Sequence, residues 1–486
     1  MRTSYADFTD KATGPVKQVD GRFLSLLFGL ILCISLISIQ TRFHGLLATF
    51  WLSDAVLLGV LLKYPSRAQQ ARVWLVAGLA YICAELIAQQ SLGVALILWG
   101  LQTLSIGLAL YLLNKKVKNK LNLRRPHSLW QLFISVLLVS IVGAVPSAYL
   151  NQYLYGESFF YNWTYWVVAE QLAYIAILPV ILAAPRFSLH ALKQLRFKIK
   201  TQTLLQLAPL ALLCSSTLLG ITIGGAGAIA FPVLPLLWCA LRYSLFTTYV
   251  LTLLFVVWTF SVAHLELIPL EITPFTQLDS ISLRLAIISM ALAPIITATI
   301  MASRNEALQK LRYLAQHDPL TGLLNQQTFY QQAQQQLDEH LQTQSHVCLL
   351  ILDLDYFKQV NDNYGHAAGD HVIQTLSGKL QHELRDKDIA GRLGGEEFGI
   401  LLADCAPTQA FNVAERIRAS VLNTHIAVQN ENTLNLTVSI GITYTNHDNN
   451  LKRLLHQADR ALYRAKRNGR NRSHIYNSAA DKAVLN

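Results

Sequence analysis

Through its first three hundred residues the chain alternates long apolar runs with short polar, mostly basic connections. Beyond Arg304 the apolar runs shorten and take on strand or helical periodicity. A helix that crosses a bilayer needs about 20 mostly apolar residues. Ten stretches are candidates, near 23–41, 46–63, 73–90, 92–113, 129–150, 162–184, 203–222, 226–241, 247–265 and 282–302. The first follows Arg2, Lys11, Lys17 and Arg22 without a small-residue cleavage site, as an anchor does and a removed signal does not.

The remainder is punctuated like a globular domain. In "RNEALQKLRYLAQH" (304–317), Leu308, Leu311 and Ala315 fall at helical spacing, so the last span is expected to run on as a helix. "DPLTGLLN" (318–325) leads into a helix through about His340, and "VCLLILDLD" (347–355) is a buried strand. Helices over 368–384, 408–422 and 450–468 interleave with a hairpin, "IAGRL" and "FGILLAD", and a strand in "LNLTVSIGITY". The expected fold is a polytopic α-helical membrane domain of about ten spans, then an α+β palm-like domain with a central, mainly antiparallel sheet.

Composition agrees with this division. Hydrophobic residues make up 52% of the 486 and charged residues 14%, with mean hydropathy +0.34. A soluble chain carries about a quarter charged residues. The net charge of +11 would suit a nucleic-acid partner, but its placement is that of membrane topology. With the N-terminus inside, the inner connections hold Arg2, Lys11, Lys17 and Arg22, then Lys63, Arg67 and Arg72. Six cations from Lys115 to Arg125, five from Arg186 to Lys200, and Arg242 follow on the same side. The outer connections and span ends hold only Arg42 and Arg284. No nucleic acid is called for, and an even number of spans puts Arg304 onward in the cytoplasm. Runs such as "NKKVKNKLNLRRP" also suit an anionic lipid surface. The six cysteines lack metal or redox spacing and are expected to be small buried apolar residues.

Two features carry candidate chemistry. Asp54, Glu85, Glu170 and Gln171 fall within spans, where polar groups are costly and serve either a ligand or helix–helix contact. In "AGRLGGEEFGI" (390–400), two glycines and two glutamates share a turn, while the buried strand ends in Asp353 and Asp355. A turn takes glycine for its backbone angles, and the bland reading is a hairpin with two solvated acids at its tip. If strand and hairpin are neighbours, however, the acids converge at one sheet edge. Such a cluster suits two Mg²⁺ ions, with glycines leaving the backbone open to a flat ligand.

"TFWLSDAVLLGVLLKYPSR" and "YWVVAEQLAYIAILPVILAAP" resemble a MASE-type membrane-associated sensor, although Trp51-Leu52-Ser53 stands where that family usually has W-P-P. "GGEEF", with "LDLDYFKQVNDNYGHAAGD" and "DPLTGLLN" in order, resembles the GGDEF family of diguanylate cyclases over about Ala315 to Tyr476. That resemblance implies condensation of two GTP into cyclic di-GMP and two pyrophosphates, one GTP on each subunit of a homodimer. It implies two Mg²⁺ (or Mn²⁺) per active site, held by Asp353, the Leu354 carbonyl, Glu396 and Glu397. Glu397 is also a candidate base for the ribose 3′-hydroxyl, and Lys358 offsets charge on the transferring phosphoryl group. Asn361 and Asp370 would read guanine, His366 would face substrate, and Lys466 and Arg470 would grip distal phosphates. In "RDKD", Arg385 and Asp388 match an inhibitory site for the cyclic di-GMP product. Gln326 stands where the family usually has arginine, which is expected to weaken an ion pair at the "DPLTGLLN" turn.

The implied organisation is a cytoplasmic tail (1–22), a membrane sensor (23–302), a helical linker (303–317), a cyclase domain (318–478) and a C-terminal tail (479–486), in a bacterial inner membrane. The sensor's ligand is not legible. Two other readings stay open: a silent GGDEF domain serving as cyclic di-GMP receptor or interaction module, and a transporter with a regulatory domain. The metal-site acids argue against the first; few intramembrane charges and no evident internal repeat argue against the second.

Overall fold

A computed structural model describes residues 21–44, 47–48, 51–65, 70–116, 121–185, 202–264, 277–343, 345–427 and 433–477. The two tails and many of the basic connections, including Arg67, Lys118, Lys120 and the cations from Arg186 to Lys200, lie outside the described residues. The chain divides into two compact units, Met1–Glu306 and Ala307–Asn486.

The first unit is helical. Among the described residues, seven helices are long and apolar enough to cross a membrane. They are α1 (Gly21–Gln40), α4 (Leu92–Lys116), α5 (Pro126–Tyr155), α6 (Phe159–Ala183), α7 (Gln202–Ile223), α9 (Leu245–His264) and α10 (Gln277–Gln316). The other three expected spans are also helical but shorter: α2 (Ser53–Lys63), α3 (Ala71–Ile87) and α8 (Val233–Arg242). The expected span at 46–63 starts late because two short antiparallel strands, β1 (Arg42–His44) and β2 (Leu47–Ala48), come first. The chain is a multi-pass membrane protein.

Burial of polar groups in this unit is compensated unevenly. Glu85 has no exposure and takes a two-pronged bond from Arg42, at 2.9 and 2.6 Å. Arg42 in turn lies 5.5 Å from the Trp51 ring centroid. Gln171 donates to Ser140 Oγ at 3.1 Å, and Asp54 lies beside the Gln102 amide. Glu170 keeps one buried oxygen, Oε2, without a hydrogen-bond partner. The fully buried Arg284 is held by Ser280 and Tyr165. The cysteine expectation holds for Cys239, Cys348 and Cys405, but Cys33 and Cys214 are exposed on membrane-span helices.

The second unit is built around a six-stranded sheet in the order β10-β9-β4-β6-β5-β3. These strands are β3 (Leu324–Asn325), β4 (Val347–Leu354), β5 (Ile389–Arg392), β6 (Glu397–Leu402), β9 (Val438–Thr445) and β10 (Ser473–Ile475). The three central pairings are antiparallel, and only the edge pairs β3·β5 and β9·β10 are parallel. "LNLTVSIGITY" is not one strand. Its start belongs to β8 (Thr433–Asn435), which pairs with β7 (His425–Ala427) in a separate ribbon.

Strand β4 is buried along its whole length, and its period of two feeds two cores. Cys348, Leu350, Leu352 and Leu354 pack with α13 (His366–Glu383) and α14 (Pro407–Leu422). Val347, Leu349 and Ile351 face the other way, toward α11 (Gln326–Thr343) and α15 (Leu451–Arg467). Helix α15 lies so close to β9 that a Cβ on Gly441 would collide with the helix backbone at Ala458 and Leu462.

Candidate active site

The same two periodicities that build the second core also set the site. Asp353 continues the odd-numbered face of β4 beyond Ile351. Lys466 continues the i, i+4 stripe of Ala458 and Leu462 on α15. They meet where the strand ends, Lys466 Nζ 2.7 Å from Asp353 Oδ1, with Asp353 almost fully buried. Across the ladder Asp353 is register partner of Glu397, the first residue of β6. The convergence expected of strand end and hairpin therefore holds in the sheet.

The turn that carries the acids is closed by Leu393 and Gly394, whose N–H groups donate to the Glu397 carbonyl at 2.8 and 3.4 Å. Gly394 and Gly395 do not have positive φ, so the backbone angles are not what requires glycine here. Space is a better account. A Cβ on Gly394 would first meet Glu397 Oε2 at 3.4 Å, and one on Gly395 would meet nothing within 4 Å. Arg392 braces the turn from behind: its guanidinium donates to the carbonyls of Gly394 and Gly395 and to both oxygens of Asp318, the last at 3.2 and 3.3 Å. Asp318 also accepts from the backbone and hydroxyl of Thr321. Burial works to raise its pKa, but those hydrogen bonds and the Arg392 charge outweigh it and hold the carboxyl below its ordinary 3.8. The "DPLTGLLN" turn thus draws its ion pair from Arg392, while Gln326 donates instead to Tyr330 Oη at 3.3 Å.

The acids themselves are under electrostatic load. Burial raises Asp353 above its ordinary value, more than the Lys466 ammonium lowers it. Burial and the charge on Asp353 likewise raise Glu396, which is half-buried; Glu397 is exposed. Among the described residues no three His, Cys, Asp or Glu side chains stand together ready to hold a metal. The second aspartate of "LDLD" has a different job. Asp355 accepts from Thr437 Oγ1, Ser439 Oγ and the Asn471 backbone N–H, at 2.7, 2.7 and 3.0 Å. It ties β4 to β9 and to the loop after α15. That loop has Arg470 and Asn471 at positive φ, as is Tyr356 just after β4. The Arg470 guanidinium lies 4.5 Å from the Tyr356 ring centroid and donates to its hydroxyl at 3.3 Å.

A short helix, α12 (Phe357–Tyr364), follows at once and was not anticipated. It carries Lys358, exposed in its first turn, and Asn361. Gly365, at φ 80°, turns the chain into α13, whose first turns bear His366 and Asp370, both exposed. Asn361 Oδ1 is buried and has no hydrogen-bond partner. It faces Gly369, where any Cβ would collide with it. Arg385 and Asp388 lie at the opposite end of β5 from the glycine turn. There the Asp388 carboxylate accepts from the Arg385 backbone N–H at 2.9 Å, leaving the Arg385 side chain exposed.

Sequence reasoning missed Arg392, Tyr356 and Gly369. For Arg392 a signal was available, since a cation just before a glycine turn can cap the turn's carbonyls. The others depend on packing between segments.

A profile described as "Diguanylate cyclase, GGDEF domain" matches residues 315–472, and one described as "MASE1" matches residues 21–305. The chain is 30% identical over 472 residues to "Probable diguanylate cyclase DgcF" of Escherichia coli O157:H7, covering 92% of this chain and 93% of that one. It is 39% identical over 164 residues to "Diguanylate cyclase DgcM" of Escherichia coli K12, covering 34% and 39% respectively. Among solved structures, the GGDEF domain of DgcB from Caulobacter crescentus in complex with c-di-GMP is 30% identical, with a TM-score of 0.32 over 33% of this chain and 96% of that one. The chain belongs to the diguanylate cyclase (GGDEF) family and carries its cyclase domain behind a MASE1 membrane domain.

Proposed function

We propose that the protein is an active diguanylate cyclase, condensing two GTP into cyclic di-GMP with release of two pyrophosphates. The observation that carries this reading is the meeting of Asp353 with the Glu396–Glu397 turn at one end of the two central strands, beside Lys466. Two carboxylates on the turn, one on the strand and the Leu354 carbonyl are hard oxygen donors, the chemistry Mg²⁺ takes. That Asp353 already attracts a cation is consistent with this. Asp353, Leu354, Glu396 and Glu397 would hold Mg²⁺ or Mn²⁺, two per site, which when bound would neutralise charge on the transferring phosphoryl group.

In each half-reaction a ribose 3′-oxygen forms a bond to the other nucleotide's α-phosphorus, and the bond to the β-phosphate oxygen breaks. Glu397 takes the proton from the hydroxyl. Lys358 balances charge at the phosphoryl group, and Lys466 and Arg470 hold the distal phosphates. Asn361 reads guanine through its amide, with Asp370 accepting from N1–H and N2–H; adenine lacks those donors. His366, exposed at the start of α13, would face the substrate. Because each 3′-hydroxyl must reach the other nucleotide, two chains act as a homodimer. Product binding at Arg385 and Asp388 restrains the enzyme. The distribution of cations along the sequence supports an N-terminus and cyclase domain on the cytoplasmic face of a bacterial inner membrane.

The test is full-length protein in lipid nanodiscs, given GTP and Mg²⁺. Wild type should form cyclic di-GMP; Asp353→Ala and Glu396→Ala should keep their fold and lose turnover. Near-wild-type product from either variant would remove the assignment, as would inert wild type. Inert wild type would leave the silent-domain reading, a cyclic di-GMP receptor or interaction module.

A further inference from the structure

We propose that Lys466 is a tethered counter-ion that keeps Asp353 closed to divalent metal until nucleotide phosphate draws the ammonium away, so that metal and GTP enter together. The inference rests on the reading of Asp353 as a metal ligand and Lys466 as a phosphate-gripping cation.

The geometry gives Lys466 two incompatible stations. Its Nζ is 2.7 Å from Asp353 Oδ1, and the Asp353 side chain is only 6% exposed, so the ammonium occupies the approach to that carboxylate. The pairing is built into the fold. The Ala458–Leu462 stripe packs α15 against the sheet, and one more helical step brings Lys466 over the strand end. Lysine suits a movable plug, being a compact charge on a flexible stem, with 32% of its side chain exposed. Arg470 is parked in the same manner, on Tyr356 rather than on a phosphate. Both cations expected to meet the nucleotide are thus engaged with groups of the site itself. Among the described residues no three acidic side chains stand ready to hold a metal.

The consequence is a pair of opposite effects. If Lys466 covers Asp353 in about nine molecules of ten, metal alone binds roughly tenfold more weakly than the bare carboxylates would allow. Nucleotide reverses this, because distal phosphates offer the ammonium a better partner. Removing the charge should therefore tighten metal binding and loosen nucleotide binding. A merely damaged site would lose both.

The experiment measures Mn²⁺ affinity by electron paramagnetic resonance on the full chain in nanodiscs, without nucleotide, alongside affinity for a non-hydrolysable GTP analogue. Lys466→Met and Lys466→Gln, two variants so that one folded protein suffices, should each bind Mn²⁺ roughly tenfold more tightly than wild type. Both should bind the analogue more weakly. Adding Asp353→Asn should abolish the gain, which places the ion at this carboxylate. Equal or weaker Mn²⁺ binding in the lysine variants overturns the proposal, as does a gain that survives Asp353→Asn. Failure of the functional reading would appear separately, as wild-type protein that makes no cyclic di-GMP.

Discussion

A single methyl group at Gly369 should separate nucleotide recognition from folding. The Cβ of Gly369→Ala would collide with Asn361 Oδ1, with Asn361 Cγ at 3.0 Å and Phe357 Cζ at 3.1 Å. Phe357 is locked in the core, so the half-buried Asn361 amide is the group that yields. Turning it off its preferred angle costs about 0.5–1.5 kcal/mol. Alanine in place of glycine within a helix returns about 0.5–1 kcal/mol. The two nearly cancel, and stability should change by less than ~1 kcal/mol. The displaced amide no longer meets guanine, and an unpaired buried donor or acceptor costs about 1–3 kcal/mol. Affinity for GTP should therefore fall roughly 5- to 150-fold. Initial rates across a GTP titration, paired with thermal melts, measure both quantities. Asn361→Ala in the Gly369→Ala background should cost little more, because the first change has already removed the contact. Unchanged KM with an unchanged melt would show that Asn361 does not touch guanine. A large drop in Tm with unchanged KM would mean that the glycine serves packing alone.

Asp318 has its carboxyl held below the ordinary 3.8, so its stabilisation is present above that value and is lost as pH falls through the lower folded-state value. The stability advantage of wild type over Asp318→Asn should be present at neutral pH and shrink in acid below about 3.8; melts showing a gap that widens in acid would contradict this. Arg385→Ala should relieve inhibition by cyclic di-GMP while leaving the initial rate unchanged, since its side chain is exposed at the far end of β5. Identical product-inhibition curves for both proteins would reduce "RDKD" to a charged turn. Because α10 is a single helix from Gln277 to Gln316, inserting residues near Gln309 turns its phase by about 100° each, and about seven nearly restore it. Turnover should oscillate across a series of one- to seven-residue insertions, whereas a flat series would mean a flexible tether.

The parts legible in sequence were those written by local periodicity. An apolar run ending in acids gave β4 and Asp353, and a glycine turn before two glutamates gave the neighbouring hairpin. What escaped depends on partners distant in sequence. β3 and β10 have two and three residues, and they exist because a central strand is there to receive them. Helix α12 is eight residues long and buries only Phe357 and Val360, too few to show a stripe. "LNLTVSIGITY" has strand character throughout, but its two ends pair with different partners. At Gly394 and Gly395 the bland reading from backbone angles fails, and the open space in front of the turn fits the other reading, a backbone left open to a flat ligand. The short spans α2 and α3 could not be told from full ones, because an apolar run does not fix where its helix begins and ends.

Within the cyclase unit, the Tyr313 and His317 rings stack at 4.2 Å, Asn325 Nδ2 donates to the Ala315 carbonyl at 2.7 Å, and Asp318 holds Arg392, which holds the glycine turn. The end of α10 and the acids at 396–397 are thus separated by a handful of bonded contacts that bypass the hydrophobic core. If a signal acting on that helix changes how tightly the turn receives nucleotide, thermodynamic reciprocity requires the converse by the same factor. GTP gripping the turn would then alter how well the membrane half binds whatever it detects. Nucleotide-loaded and nucleotide-free protein would be two receptors of different sensitivity, and the cell's GTP level would set the threshold at which the signal is heard.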